Sequence, residues 1–359
     1  MPTRSKRSKG PEHLGEINVP SGTLIVIDTG LLKFWCHDRP PLMEDGTAPD
    51  EVVETANCSA DFRIEGKDAE RAGKRFDRQW HTGYLFDIPT RGLEQVEQSF
   101  AQCIRQAGLD ARLTRLPLKV THRQRVNLAL TYGHGAGEVF FYGITAPVLD
   151  GLPRDRALAV YGERMPPGTY DDRWRRVWLE CQPKAKVAQT ELVGYAAVDE
   201  ARLMFADVDA LGAWQHETPL DGLADYVFWG GRDAAQVAER MGAIRQPDDE
   251  WGWVDLPVQE AVQLGLAVED LREKNSLKFA GDFRPHSHHY MVMKQVRATS
   301  TESGTIEVGG AKVCTFMTTW GDGFYPVSRE MDALSGLVRI SIDLGNEEIV
   351  ARQGKLESR

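Results

Sequence analysis

Apolar residues cluster in short bursts along the chain, and the first of them, Thr23-Leu24-Ile25-Val26-Ile27-Asp28, is a β-branched run that suits a buried strand. The turn Val19-Pro20-Ser21-Gly22 precedes it, and Thr29-Gly30 leads into Leu31-Leu32-Lys33-Phe34-Trp35, so the two runs read as a hairpin. Residues 38 to 81 are rich in charge, Pro and Gly, and read as a long loop or insertion with one exposed helix near Asp68 to Arg78. Tyr84-Leu85-Phe86 is strand-like. After it, Thr90 is an N-cap candidate, Leu93, Val96, Phe100 and Ile104 share one helix face, and Gly108 is a natural stop.

Short β runs follow at Arg112 to Leu118, Arg125 to Tyr132, Glu138 to Ile144, Arg156 to Tyr161 and Arg173 to Cys181. A second round opens with a hairpin from Glu191 to Asp199 and Arg202 to Phe205, then strand-like Tyr226-Val227-Phe228 and a helix from Asp233 to Met241 that stops at Gly242. Trp251 to Asp255 is strand-like, and Pro257 opens a helix toward Lys274 that Gly265 interrupts. The end is β again: His289 to Arg297, Gly304 to Val308, Lys312 to Thr319 and Leu337 to Asp343. Parallel crossovers need a dozen or more residues, so this spacing favours antiparallel meanders with a few packed helices, an α+β fold.

Ordered matches between the halves predict two related modules. Asp28-x-x-x-Leu32-x-Phe34 answers Asp199-x-x-x-Leu203-x-Phe205, and Tyr84-Leu85-Phe86 answers Tyr226-Val227-Phe228. Leu116-Pro117-Leu118 answers Leu256-Pro257-Val258, Val139 to Tyr142 answers Val313 to Phe316, and Pro147-Val148 answers Pro326-Val327. The expected organisation is a disordered basic arm at 1–13, an N-terminal α+β module at 14–164, a C-terminal α+β module at 165–345 and a flexible tail at 346–359.

Composition narrows the class. In 359 residues no apolar run approaches the roughly 18 that a membrane span needs. A net charge of -10 argues against a broad nucleic-acid surface, since phosphate contacts need clustered Lys and Arg; only the leader Thr3 to Lys9 is strongly basic. Five scattered cysteines, nowhere C-x-x-C, fit reduced thiols in a cytoplasmic protein, with no disulfide framework and no thiolate metal site.

Candidate chemistry concentrates late in the chain. In Trp320-Gly321-Asp322-Gly323 the glycines allow a sharp reversal, and two readings stay open: a hairpin turn under a core Trp, or a loop presenting Trp320, Asp322 and Tyr325 to a partner or ligand. His286, His288 and His289 are the densest imidazole cluster; on a strand His286 and His288 would share a face, and with Asp282 or Asp322 could hold Zn²⁺, although no ordered ligand spacing supports it. No nucleophile motif accompanies them. Gly133 to Gly137 lacks the Lys-Ser/Thr ending of a phosphate loop and reads as a hairpin turn. Asp28, Asp199, Asp207 and Asp209 follow no calcium-loop pattern, and Arg173, Arg175 and Arg176 beside Trp174 and Trp178 read as solvated strand positions.

Val198-Asp199 with Phe205 and Asp207, followed by Trp320-Gly321-Asp322-Gly323-Phe324-Tyr325-Pro326-Val327 and the run from Val338 to Asp343, resembles the bacterial domain of unknown function family 4241. Val19-Pro20-Ser21-Gly22 and Pro166-Pro167-Gly168-Thr169-Tyr170 resemble further segments of that family, the likeness lies mainly over 165–345, and Ala201 departs from it where Gly is usual. The family has no established activity, so the resemblance implies a fold neighbourhood and no reaction or cofactor. The expected function is a non-enzymatic cytoplasmic protein-interaction module of the immunity or defence-associated kind, with Trp320, Gly321, Asp322, Gly323, Tyr325, Asp199 and Asp207 toward a protein partner. The alternative is a metal-assisted hydrolase using His286, His288, His289 and Asp322.

Overall fold

The computed structural model describes residues 10–41, 59–76, 83–168, 170–346 and 348–351, and the basic leader, Cys58 and Thr169 lie outside them. The fold is α+β with antiparallel sheets. Its elements run through the same order of types twice. The first round is β1 (Glu12–Asn18), β2 (Leu24–Asp28), a 3-10 turn (Gly30–Phe34), β3 (Ser59–Glu65), α1 (Ala69–Phe76), β4 (Tyr84–Pro89), α2 (Leu93–Ala107), β5 (Arg112–Arg115), α3 (His122–Tyr132), β6 (Ala136–Phe141), β7 (Ile144–Leu149), β8 (Ala157–Arg164) and β9 (Trp174–Glu180). The second is β10 (Gln189–Val198), β11 (Arg202–Asp207), a 3-10 turn (Ala210–Ala213), β12 (Leu223–Trp229), α4 (Gly231–Met241), a short extra strand β13 (Ile244–Arg245), β14 (Trp251–Pro257), α5 (Val258–Lys274), β15 (Ala280–Pro285), α6 (His288–Ala298), β16 (Ser303–Val308), β17 (Ala311–Met317), β18 (Gly323–Met331) and β19 (Leu337–Asp343).

The sheets carry the same symmetry. One six-stranded sheet has the order β1-β8-β9-β19-β18-β10 and the other β16-β17-β11-β2-β7-β6, so each reads alike from either end once the halves are exchanged. Their inner faces share one core, in which Val26, Phe205 and Phe316 from one sheet meet Trp174, Tyr325 and Ile340 from the other. Two bulges bring the sheet edges together. Gly15 breaks the β1 register and Gly194 the β10 register. A Cβ on Gly15 would lie 2.3 Å from Thr305 Oγ1 and one on Gly194 2.2 Å from Glu138 Cγ, so only glycine admits the approach. The next backbone N–H in each case donates across the seam, Glu16 to Thr305 Oγ1 and Tyr195 to Glu138 Oε1.

The chain divides into two compact units, Met1–Ala213 with Thr299–Arg359, and Trp214–Ala298. A division at 164/165 would cut through both large sheets, because β8 pairs with β9 and β2 with β11. In the first unit, β4-β3-β5 and its helices bury Phe62, Leu85 and Phe100. In the second, β13-β14-β12-β15 and its helices bury Tyr226, Phe228 and Val237. Of the expected arm and tail, Glu12 and His13 belong to β1 and Ile349 is buried.

Several segments expected as strands are helical, for local reasons. Thr121 Oγ1 accepts from Gln124 N in a full capping box, which starts α3 where a strand over Arg125 to Tyr132 was expected. Ser287 Oγ accepts from Tyr290 N and starts α6 in place of a strand over His289 to Arg297. Asp28 Oδ1 accepts from Gly30 N, and the chain turns into a 3-10 helix instead of a second hairpin strand. Gly265 does not break α5; it lies against the Tyr226 ring, 2.8 Å from where its Cβ would stand.

Candidate functional site

The Trp320 loop is part of the sandwich. Trp320 is 4% exposed and donates Nε1–H to the Trp174 carbonyl, while Tyr325 is fully buried and donates to the Gly321 carbonyl. Asp322 Oδ1 accepts from Ala201 N at 3.0 Å, so this carboxylate ties the loop to the turn between β10 and β11. Ala201 itself sits at φ +54, the left-handed region that glycine enters most readily. Thr318 Oγ1 closes the loop on Gly321 O and Ala201 O. Trp320 and Tyr325 therefore present no face to a partner from this fold, which corrects that expectation.

Asp207 is buried and accepts from Ser21 N, Ser21 Oγ, Asp209 N and Ala210 N. Asp199 is exposed and its backbone N–H is taken by Asp28. Both serve the turns between strands.

The three histidines do not converge. His288 Nδ1 accepts from Gln215 N at 2.9 Å and its ring stacks on Trp214, so that lone pair is spent; burial holds its pKa below the usual value. His289 stacks on His216, with ring centroids 4.2 Å apart. His286 instead meets the carboxylates of Asp221, Asp225 and Asp255, and a shared site of His286, His288 and His289 is overturned by these separate partners.

Around His286 the second unit assembles a compact polar group that sequence spacing did not reveal. A bulge in the pairing of β12 with β14 turns Asp225 and Asp255 toward each other, with Asp255 at φ +55 and its N–H on Asp225 Oδ1. His286, just after β15, places Nε2 3.0 Å from Asp225 Oδ1 and 3.6 Å from Asp255 Oδ1, and Nδ1 3.0 Å from Asp221 Oδ2. Tyr290 donates to Asp225 Oδ2 at 2.6 Å and stacks on the imidazole. Burial alone would lower the His286 pKa, but the bonds to Asp225 and Asp221 carry it above the ordinary value. A cleft beside this group is lined by His216, Asp282, Arg284, Ser287 and Tyr290, and Arg284 is already held by Glu250 and Asp282.

The first half builds the same place differently. Asp61 and Asp87 stand where Asp225 and Asp255 do: β3 bulges against β4, Asp87 is at φ +52, and its N–H donates to Asp61 Oδ1. Here a fully buried guanidinium fills the space. Arg125 binds Asp61 at 3.0 Å and Asp87 at 2.6 Å, and donates to the Phe140 and Val120 carbonyls. Lys119 adds a 3.2 Å pair to Asp87. Burial would raise the Asp87 pKa, but Arg125 overrides it and holds the carboxyl at about 2. Counted from the caps Thr121 and Ser287, the position of Arg125 in the second half is Met291.

A signal for this correspondence exists in the sequence, at a spacing other than the matches drawn above. Asp28-x-x-x-Leu32-x-x-Trp35-x-His37-Asp38 answers Asp207-x-x-x-Leu211-x-x-Trp214-x-His216-Glu217, and Asp87-Ile88-Pro89 answers Asp255-Leu256-Pro257. His122 and His288 match as well: each accepts at Nδ1 from the residue after its Trp, Cys36 and Gln215.

No protein-family model, curated protein or solved structure matches the chain. No helix among the described residues is long and apolar enough to cross a membrane.

Proposed function

We propose that the chain is a non-enzymatic protein-interaction module made of two diverged copies of one α+β unit, and that the second copy carries the partner face on α5 and β15. The observation that supports this is a change of character at corresponding exposed positions. Val262 and Leu266, one turn apart on α5, and Phe283 on β15, on which α5 packs, are 39%, 66% and 38% exposed. The first half has Glu94, Gln98 and Arg115 there, also exposed. The correspondence rests on an ungapped run from Pro89 and Pro257 through matching helix ends, where Gly108 and Ser276 both have positive φ and Leu109 and Leu277 close the same bond to Ile104 and Arg272. One scaffold thus tolerates polar residues at these positions, so the apolar set in the second half is not required for folding.

The partner is a protein with an apolar centre and a basic rim. Residues 214 to 298 carry fourteen acidic and nine basic side chains, and acidic charge steers encounter with a basic face. The test writes the residues of the first half into the second: V262E/L266Q/F283R. Wild-type protein immobilised in native lysate is expected to retain a salt-sensitive basic partner that the variant loses while melting at the same temperature. Equal capture by both proteins would overturn the proposal, as would a wild-type dimer that the variant reduces to a monomer in light scattering, because a second copy would then be the occupant.

A further inference from the structure

We infer that Asp225, Asp255 and His286 form a divalent-cation site, with the imidazole and one oxygen of each carboxylate as ligands. The three donor atoms lie within 4.8 Å of one another. The separations of 3.0 and 3.6 Å from His286 Nε2 match the edges of a coordination shell about 2.0 to 2.2 Å from its ligands, where neighbouring donors stand about 3 to 3.5 Å apart.

The supports of such a site are built. A metal-bound histidine characteristically gives its other ring N–H to a carboxylate, and Asp221 stands 3.0 Å from Nδ1 for that role. The ligating carboxylate is itself oriented, since Tyr290 donates to the Asp225 oxygen that faces away from the cation position. Asp255 is 64% exposed, which leaves the outer side open to solvent or a ligand.

An independent observation comes from the first half, where the corresponding carboxylates Asp61 and Asp87 hold a cation, the Arg125 guanidinium. With methionine at the corresponding helix position, the second half has two carboxylates in the same arrangement and a titratable imidazole between them. Binding of the ion takes the lone pair of Nε2, and any proton on that atom leaves to solvent. One imidazole with two carboxylates suits Zn²⁺ or Mn²⁺ better than Mg²⁺, which keeps most of its waters. The inference concerns ion binding alone and stands whether or not a protein partner exists.

The experiment is calorimetric titration of metal-free full-length protein with Zn²⁺ and, separately, Mn²⁺. About one ion per chain is expected, weakened about 10-fold or more in Asp255→Asn, whose exposed side chain can change without disturbing the core, and weakened in Asp221→Asn through loss of the orienting carboxylate. Asp282→Asn, on the cleft wall, is expected to bind as wild type. Absence of saturable binding in the wild type would overturn the inference, and so would equal weakening in all three variants, which would mean diffuse attraction to an acidic surface.

Discussion

Asp28 and Asp207 each hold the turn that leads into the other's strand. Asp28 Oδ2 accepts from Asp199 N and Glu200 N between β10 and β11, and Asp207 Oδ2 accepts from Ser21 N and Oγ between β1 and β2. Their Oδ1 atoms accept from Gly30 N and Asp209 N, two residues on in each case. Because β2 and β11 are the central pair of their sheet, these carboxylates lock the two halves together. Asp28→Ala strands the buried Gly30 N–H and the part-buried N–H groups of Asp199 and Glu200, so it should cost about 2 to 3 kcal/mol in urea unfolding, at about 1 to 3 kcal/mol per buried orphaned group and less for the others. A loss below about 1 kcal/mol would show that the turns hold without it.

Arg125 should be among the most sensitive positions in the first half. Arg125→Met leaves Asp61 and Asp87 buried without their main counter-charge, and breaking a buried pair costs about 3 to 5 kcal/mol. Chemical denaturation of this variant checks it.

Acid should weaken the protein well above the carboxylate range. Burial and the nearby Arg125 charge depress the His122 pKa to about 3, so the folded state binds less proton than the unfolded chain below the ordinary histidine pKa of about 6.5. Stability from this group is complete above about pH 6.5 and is lost progressively as pH falls toward 3, by about 2 kcal/mol between pH 7 and 5. Asp87, held at about 2, adds its own loss below about pH 4. Urea unfolding at stepped pH measures the slope. His122→Asn, which keeps an acceptor for Cys36 N without titrating, should flatten it between pH 7 and 5.

The Trp320 loop should respond as core. Trp320→Ala removes a 4% exposed indole and its bond to Trp174 O, a change worth about 3 to 5 kcal/mol, and leaves the α5 and β15 face untouched. Conversely, Ala201→Gly should stabilise by about 1 kcal/mol, because φ +54 burdens alanine and not glycine. Thermal melts of both variants give the signs.

Legibility in the sequence followed the range of the interactions. Helix α2 was readable because Leu93, Val96, Phe100 and Ile104 make one stripe and Gly108 takes φ +59 at its end. The antiparallel α+β class was readable from spacing. Helices α3 and α6 were not, because His122, Arg125 and His288 share the buried faces with Val126, Ala129, Val292, Met293 and Val296, which shortens the apolar stripe of each. The loop of Trp320 and Tyr325 showed its residues but not their burial, which depends on Trp174 and Ala201 far away in sequence. Asp225 and Asp255 were passed over because bulges and positive φ, not a fixed spacing, bring them to His286.

Hydrogen exchange on the chain with the captured partner bound decides whether α5 and β15 form the partner face. New protection is expected along Val258–Lys274 and Ala280–Pro285, with none at the corresponding Leu93–Ala107 and Arg112–Arg115. Protection confined to the first-half segments, or absent from both pairs, would contradict it.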